Sequence, residues 1–351
     1  MNEPKSYQSL KLGNNKTSTF HSKKMRTLIL LFSLLLLSNC TTHQQGRVDS
    51  ENYTESLATP VWYNPANFDT VKVLSWNVEH FVDDIDNPYI DNGRENNPPE
   101  NMSERRKLFA EIIKKADADI VVLQEFESDS YAQKLAEESF PEMGYQVFAG
   151  HERNDWHMNV VVMSRIPLGL IHSYATTNTP IVGQTDDEGN PTSQAFTNNR
   201  MWTTEVIVNP DYQFSLTGVH LKAGRGERNE NWRLGQINLL RSHYKQLLSL
   251  NPDQNILTVG DFNSTPDSDE FKAFLGAGTD VEFMDPLAGT NVFSHPADSA
   301  FWRIDHILPN TNMSSEIISD TVLVNYFFSP DSMEVAADHL PMSVEIIARD
   351  Q

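Results

Sequence analysis

Short runs of β-branched and apolar residues recur along the chain: Val71–Trp76, Asp119–Gln124, Asn159–Met163, Trp202–Val208, Gln213–Val219, Ile256–Gly260, Ile304–Leu308 and Ser343–Ile347. Each is of strand length and is bounded by turn formers or polar clusters. Several, such as Ile120-Val121-Val122-Leu123, are apolar on both faces, which predicts central strands covered by a layer on each side. Two other stretches carry helical spacing. Ser103 is placed to cap the first, with Glu104 in its opening turn and Leu108, Phe109, Ile112 and Ile113 on one face. The second runs from about Glu230 to Leu248, with Ile237, Leu240, Tyr244 and Leu247 on one stripe. Many strands and few helices predict an α/β chain of two sheets packed face to face with helices outside. The stretch Asp83–Met102 is polar and acidic, holds three prolines and predicts an exposed insertion.

Composition narrows the picture. The 351 residues, 39% hydrophobic and 21% charged, exclude wholesale disorder and a multi-spanning membrane protein. The single cysteine, Cys40, excludes an intrachain disulfide. Lys23, Lys24 and Arg26 precede the apolar run Leu28–Leu37, broken only by Ser33, and Cys40 follows directly on Ser38-Asn39. This predicts a signal peptide over residues 1–39, too short for a permanent span, with Met25 as an alternative start that would make 1–24 an over-called segment or a long leading region. The arrangement resembles a bacterial lipoprotein signal. It implies lipidation of Cys40, a tether over residues 40–59, and an exported protein anchored to the membrane at its periplasmic or cell-surface face. Residues 60–351 carry no repeat, no low-complexity block and no second linker, which predicts one domain and a monomer.

The net charge is −21, from 27 basic and 48 acidic side chains; without residues 1–39 it becomes −26, from 21 basic and 47 acidic. A chain-wide basic surface for polyanions is excluded, so a phosphate-bearing ligand has to be met by a local patch or by cations.

Chemistry gathers next to the apolar runs. Asn77, Glu125 and His220 each follow a predicted strand, Ile256–Gly260 is followed by Asp261-Phe262-Asn263, Arg303-Ile304 leads into Asp305-His306, and Ala336-Ala337 leads into Asp338-His339. If two sheets align these termini, carboxylates, carboxamides and imidazoles converge at one rim, which is costly unless a cation or substrate uses them. Hard oxygen donors without a second cysteine point to Mg²⁺, Mn²⁺ or Ca²⁺.

The ordered set Ser75-Trp76-Asn77, Leu123-Gln124-Glu125, His220-Leu221-Lys222-Ala223, Gly260-Asp261-Phe262-Asn263, Arg303-Ile304-Asp305-His306-Ile307 and Asp338-His339-Leu340-Pro341 resembles the endonuclease/exonuclease/phosphatase superfamily, the DNase I-like group. The likeness spans about 70–348. It implies a four-layer α/β sandwich and Mg²⁺- or Mn²⁺-dependent hydrolysis of a phosphate ester. By resemblance Glu125 contacts the metal, with Asn77, Asp338 and Asp261 around it. His339 is held by Asp305, Asn263 donates to a phosphate oxygen, and His220 contacts phosphate or assists the leaving group. Arg200 matches an arginine that reaches the phosphate in DNase-like members, and a solvated loop arginine is the other reading. Lys222 and Arg225 suit phosphate contact or a solvated turn. His306 is read as a packing residue, and His157 and Asn159 as support for a strand. The orienting partner of His220 is left open.

Asp83, Asp84, Asp86, Asp91 and Glu95 would suit an additional structural Ca²⁺ but lack EF-hand spacing, and a solvated acidic loop is the plainer reading. Trp156, Trp202 and Trp302 are candidates for base stacking, lipid contact or core. The expected substrate is DNA or RNA outside the cytoplasm. The alternative is a lipid or small-molecule phosphate ester, as in sphingomyelinases. A binding module that has lost catalysis would be expected to have replaced Glu125, Asp261, Asn263 or His339, and all four are present.

Overall fold

The β-branched runs pair into two mixed sheets. The computed structural model describes residues 59–150 and 156–351, so the expected signal peptide, the lipidation of Cys40 and most of the tether lie outside the described residues. The first sheet contains β1 (Thr70–Phe81), β2 (Ile120–Phe126), β3 (Val147–Gly150), β4 (Asn159–Ser164), β12 (Leu323–Val324) and β13 (Met342–Ile347), in the order β12-β13-β1-β2-β4-β3. The second contains β5 (Leu168–Ser173), β8 (Met201–Asn209), β9 (Tyr212–His220), β10 (Ile256–Asp261) and β11 (Asp305–Pro309), in the order β11-β10-β9-β8-β5. A separate hairpin joins β6 (Thr179–Thr185) to β7 (Pro191–Gln194). Each large sheet has one parallel pair at its centre, β1 with β2 and β9 with β10, and is otherwise antiparallel.

Runs that are apolar on both faces bury both faces. Ile120 and Val122 of β2 turn toward the second sheet with Val71, Val73, Val160 and Val344, and meet Trp202, Leu216, Val259 and Ile307 from the facing strands. Val121 and Leu123 turn the other way, onto helices α2 (Met102–Ala116) and α3 (Asp129–Ser139), where Phe109, Ile112, Ile113 and Leu135 receive them. On the far side, Met201, Val219 and Leu308 meet Ile237, Leu240 and Tyr244 of α4 (Glu227–Leu250) and Phe271 and Phe274 of α5 (Asp269–Leu275). The result is helix, sheet, sheet, helix, as the residue pattern predicts.

The sheets approach closely at Gly218 of β9. A Cβ there would lie 2.7 Å from Val160 Cγ1 and 2.9 Å from Val122 Cγ1, so only glycine fits. Trp202 is buried at the same interface and its Nε1–H donates to Val160 O at 2.8 Å, a bond from sheet to sheet. Trp202 is therefore core, not a stacking platform.

Three expectations need correction. Ser103 does not cap α2: the helix begins one residue earlier, after Asn101, without a side-chain cap. The Asp83–Met102 insertion is not simply exposed. It contains a helical turn, α1 (Gly93–Asn96), and Glu95 turns inward to accept from Asn87 N at 2.6 Å, while Ile90 and Met102 are buried. Its acids form no metal-sized cluster among the described residues. Finally, Asp305 opens β11 where the sequence places it inside a strand, and Asp338 and His339 follow a short helix, α6 (Pro330–Ala336), where the sequence suggests a strand end.

Candidate active site

Strand direction decides what reaches the rim. The parallel pairs end there, delivering Asn77, Glu125, His220 and Asp261 from the C-terminal parts of β1, β2, β9 and β10. Their antiparallel neighbours β4, β8, β11 and β13 begin at the same edge, so residues just before or at their starts arrive as well: Asn159, Arg200, Asp305, and Asp338 with His339.

These side chains form one network. Asp305 Oδ2 lies 2.8 Å from His339 Nδ1 and accepts from Ser294 Oγ at 2.6 Å. The opposite ring nitrogen, His339 Nε2, stands 4.0 Å from Asp261 Oδ2 and 3.8 Å from Asp338 Oδ1. Asp261 in turn accepts from Asn77 Nδ2 at 3.0 Å, from Asn263 Nδ2 at 3.1 Å and from Asn263 N at 2.7 Å. His220 Nε2 faces Glu125 Oε1 at 3.6 Å and Asp261 Oδ2 at 3.7 Å. Glu125 Oε2 accepts from His80 N at 3.0 Å.

The backbone is bent to present these groups. Glu79, His80, Glu125 and Asn263 have φ of 48°, 47°, 58° and 52°, a region disfavoured for residues with a Cβ and found where function over-determines the chain. Gly260 has φ 138°, and a Cβ there would strike Val219 O, so glycine alone lets β10 draw Asp261 against β9.

Burial and charge tune the site. Burial pulls the His339 imidazole down, but Asp305, Asp261 and Asp338 overcome this and push it up to about 10, which makes it a cation at neutral pH. Burial pushes Asp261 up to about 7, with Asp305 adding to the shift. Glu125 and Glu79 are also raised, first by burial and then by Asp338. Asp338, which burial would raise, is held below its usual range by His295 and His339. His220, fully enclosed, is held far below the usual range by burial and then by Arg200.

Buried carboxylates that resist ionisation are the donor chemistry a divalent cation relieves, so the residues present fit an oxygen-seeking ion. The Asn77 Nδ2 points at Asp261 and its Oδ1 accepts from Glu79 N, so in this arrangement it steadies the carboxylates. Among the described residues, the groups of three whose ligand atoms converge within 4.8 Å are Asp261, Asp305, His339 and His295, Asp338, His339. Glu125 belongs to neither.

Arg200 is no solvated loop arginine. It is buried, lies over Trp156 with 5.0 Å to the ring centroid, and its charge reaches both His220 and His80. Lys222 and Arg225 lie on the loop after His220, which Arg233 of α4 ties down by donating to Lys222 O and Gly224 O at 2.8 Å each. Arg225 rests over the half-buried Trp302 at 3.8 Å from the ring centroid, at the mouth of a cleft of about 550 Å³ lined by Glu125, His220, Asp261, Asn263, Asp338 and His339. His306 points away: its Nε2 meets Ser264 O at 2.9 Å and its ring packs on Phe262 and Phe271. Asn159 donates to Glu127 O at 2.7 Å and supports the chain entering β4.

Several residues escape a reading of the sequence. His80 lies three positions after Asn77; its Nδ1 is 2.8 Å from His157 Nε2 and its Nε2 is 3.4 Å from Glu125 Oε2. Ser294 and His295 sit in a loop without periodicity, and nothing local marks them. Among the described residues, His220 Nδ1, which is buried, has no hydrogen-bond partner.

Residues 74–320 match the Endonuclease/Exonuclease/phosphatase family, and the chain belongs to it. The family hydrolyses phosphate esters and typically depends on a divalent metal. No curated protein matches the sequence. The structure is similar to the human Nocturnin catalytic domain with bound sulfate anion, at 19% identity and a TM-score of 0.51, covering 81% of this chain and 94% of that one. It is also similar to D. rerio TDP2 complexed with single strand DNA product, at 15% identity and a TM-score of 0.53, covering 79% and 98%, and to C. elegans TDP2, at 14% and 0.52, covering 99% and 100%. At these identities the likeness establishes the two-sheet fold with flanking helices.

Proposed function

We propose that the protein is a phosphodiesterase that cleaves DNA or RNA outside the cytoplasm with Mg²⁺ or Mn²⁺, held to the membrane by a lipid on Cys40. The observation that carries the reading is the His339–Asp305 pair at 2.8 Å, aimed across the cleft at Asp261. Asp305 fixes the ring so that Nε2 faces substrate, and the cationic imidazole donates to a non-bridging phosphoryl oxygen as negative charge grows there. Asp261, steadied by Asn77 and Asn263, takes the proton from the attacking water while the water oxygen bonds to phosphorus. The ester P–O bond breaks on the opposite side, and the leaving oxygen takes a proton from solvent. Asn263 donates to a phosphoryl oxygen, and Arg200 balances the charge of the bound phosphate. Glu125, with Asp338 and Asp261, would hold a divalent cation, which would neutralise charge on the phosphate.

Nucleic acid is favoured by the rim, where Arg225 and Trp302 combine a cation with a stacking face on an otherwise acidic protein. That D. rerio TDP2 was solved with single strand DNA product supports the same class. The exposed Phe293 and Phe301 beside Trp302 favour the second reading, a lipid phosphodiesterase. The test is hydrolysis of plasmid DNA, RNA and sphingomyelin by purified protein with Mg²⁺, Mn²⁺ or chelator. Metal-dependent nicking that disappears in Glu125→Ala supports the nuclease; cleavage of the lipid alone transfers the assignment to the second reading; no cleavage of any substrate removes both.

A further inference from the structure

The chemistry above makes no use of His295, yet its ring is held beside the site. The backbone of Ser294 and His295 is tied to Trp302 by hydrogen bonds of 2.8 to 3.0 Å, and the His295 imidazole stacks on Trp302 at 8° with centroids 5.8 Å apart. Ser294 O also accepts from Leu340 N at 2.7 Å, which locks this loop to the segment bearing Asp338 and His339. As a result the His295 and His339 rings stand 4.7 Å apart with Asp338 between their inner nitrogens. One carboxylate oxygen of Asp338 lies 3.7 Å from His295 Nε2 and the other 3.8 Å from His339 Nε2.

These separations exceed a hydrogen bond and come close to the spacing of neighbouring donors around a small cation. A tetrahedral ion with bonds near 2.0–2.1 Å places adjacent ligand atoms about 3.4 Å apart; the ligand atoms of His295, Asp338 and His339 all lie within 4.8 Å of one another, so side-chain rotations that move them by up to about an ångström bring them onto one ion. Two imidazoles and one carboxylate are the donors of zinc and its neighbours in the transition series, whereas Mg²⁺ prefers oxygen. The outer support is present too. Asp305 engages the far nitrogen of His339 and is itself fixed by Ser294, the carboxylate–histidine arrangement that orients a metal-bound ring.

We propose that His295, Asp338 and His339 form a second metal site that takes Zn²⁺ or a similar borderline cation and switches the enzyme off. Binding there releases the proton on His339 Nε2 to solvent, takes that nitrogen away from the phosphoryl oxygen and draws Asp338 from Mg²⁺, so the ion inhibits and does not assist. The inhibitory consequence rests on the phosphodiesterase reading; the site itself does not.

The experiment titrates full-length protein with Zn²⁺ in saturating Mg²⁺, reading affinity by competition with a chromophoric chelator and ligand type by X-ray absorption. The expected result is one Zn²⁺ per chain with two imidazole nitrogens and an oxygen shell. His295→Gln should weaken Zn²⁺ binding at least about tenfold, and His80→Gln, the histidine beside Glu125, should leave it unchanged. The concentration of Zn²⁺ that halves Mg²⁺-supported hydrolysis should rise in His295→Gln by the same factor as the dissociation constant. Thermal unfolding of both variants checks that the fold persists. Failure of Zn²⁺ to bind in the presence of Mg²⁺, equal binding in His295→Gln, or loss of binding in His80→Gln instead would overturn the proposal. If the protein hydrolyses nothing, the phosphodiesterase reading fails while the zinc titration still decides the site.

Discussion

At the scale of residues, the His339–Asp305 pair makes a definite claim about pH. His339 is raised above its ordinary 6.5 to about 10, so its contribution to stability is fully present below about pH 6.5 and is lost as the pH rises through about 10. In the proposed reaction the same protonated form serves the phosphate, so activity should fall along that alkaline limb. Asp305→Asn removes the charge that raises the imidazole, and the alkaline limb of kcat/KM should move toward neutral pH. A profile with an unshifted limb would separate His339 from the reaction. Glu125→Ala should lower turnover at least about a hundredfold and weaken the response to Mg²⁺, measured as rate against metal concentration. Glu125, Asp261 and Asn263 could be picked out from their places beside apolar runs, because strand ends are readable in sequence; His339 follows a short helix and is marked only by the motif it shares with the family. His80, Ser294 and His295 could not, since they reach the site through tertiary contacts that no local pattern encodes.

At the scale of elements, the closest approach of the sheets at Gly218 and the tie between α4 and the loop after His220 carry different kinds of load. Gly218→Ala drives a methyl group into Val160 and Val122 and should destabilise the fold by about 1–3 kcal/mol, seen as a lower denaturant midpoint. Arg233 is buried, paired with Glu270 at 2.7 Å, and holds the loop carbonyls. Arg233→Ala leaves the buried Glu270 unpaired and should cost about 3–5 kcal/mol, with KM rising in whatever fraction stays folded.

The central strands were legible because Val, Ile and Leu mark both of their buried faces. The rest was faint for physical reasons. β5 is a largely exposed edge strand, β12 has two residues, and α5 and α6 have seven each, too short for a helical stripe to stand out. The start of α2 was misread because Ser103 is a good cap by composition, yet the chain enters the helix through Asn101.

At the scale of the whole molecule, the strongly acidic chain sets Arg225 in the cleft and Arg200 and Lys222 near His220. Binding of a charged strand through so few phosphates should depend only weakly on salt, with a slope of log K against log salt of about −2 for a single strand, much shallower than that of a basic nuclease. Binding isotherms at several salt concentrations test this.

Each sheet brings its own parallel pair to the cleft, the first carrying Asn77 and Glu125, the second His220 and Asp261. Neither sheet holds a complete set, so turnover reports the alignment of one layer on the other. Warming should silence the enzyme while its circular dichroism still reads as folded, because a slip of about an ångström between layers costs reactivity long before it costs hydrogen bonds.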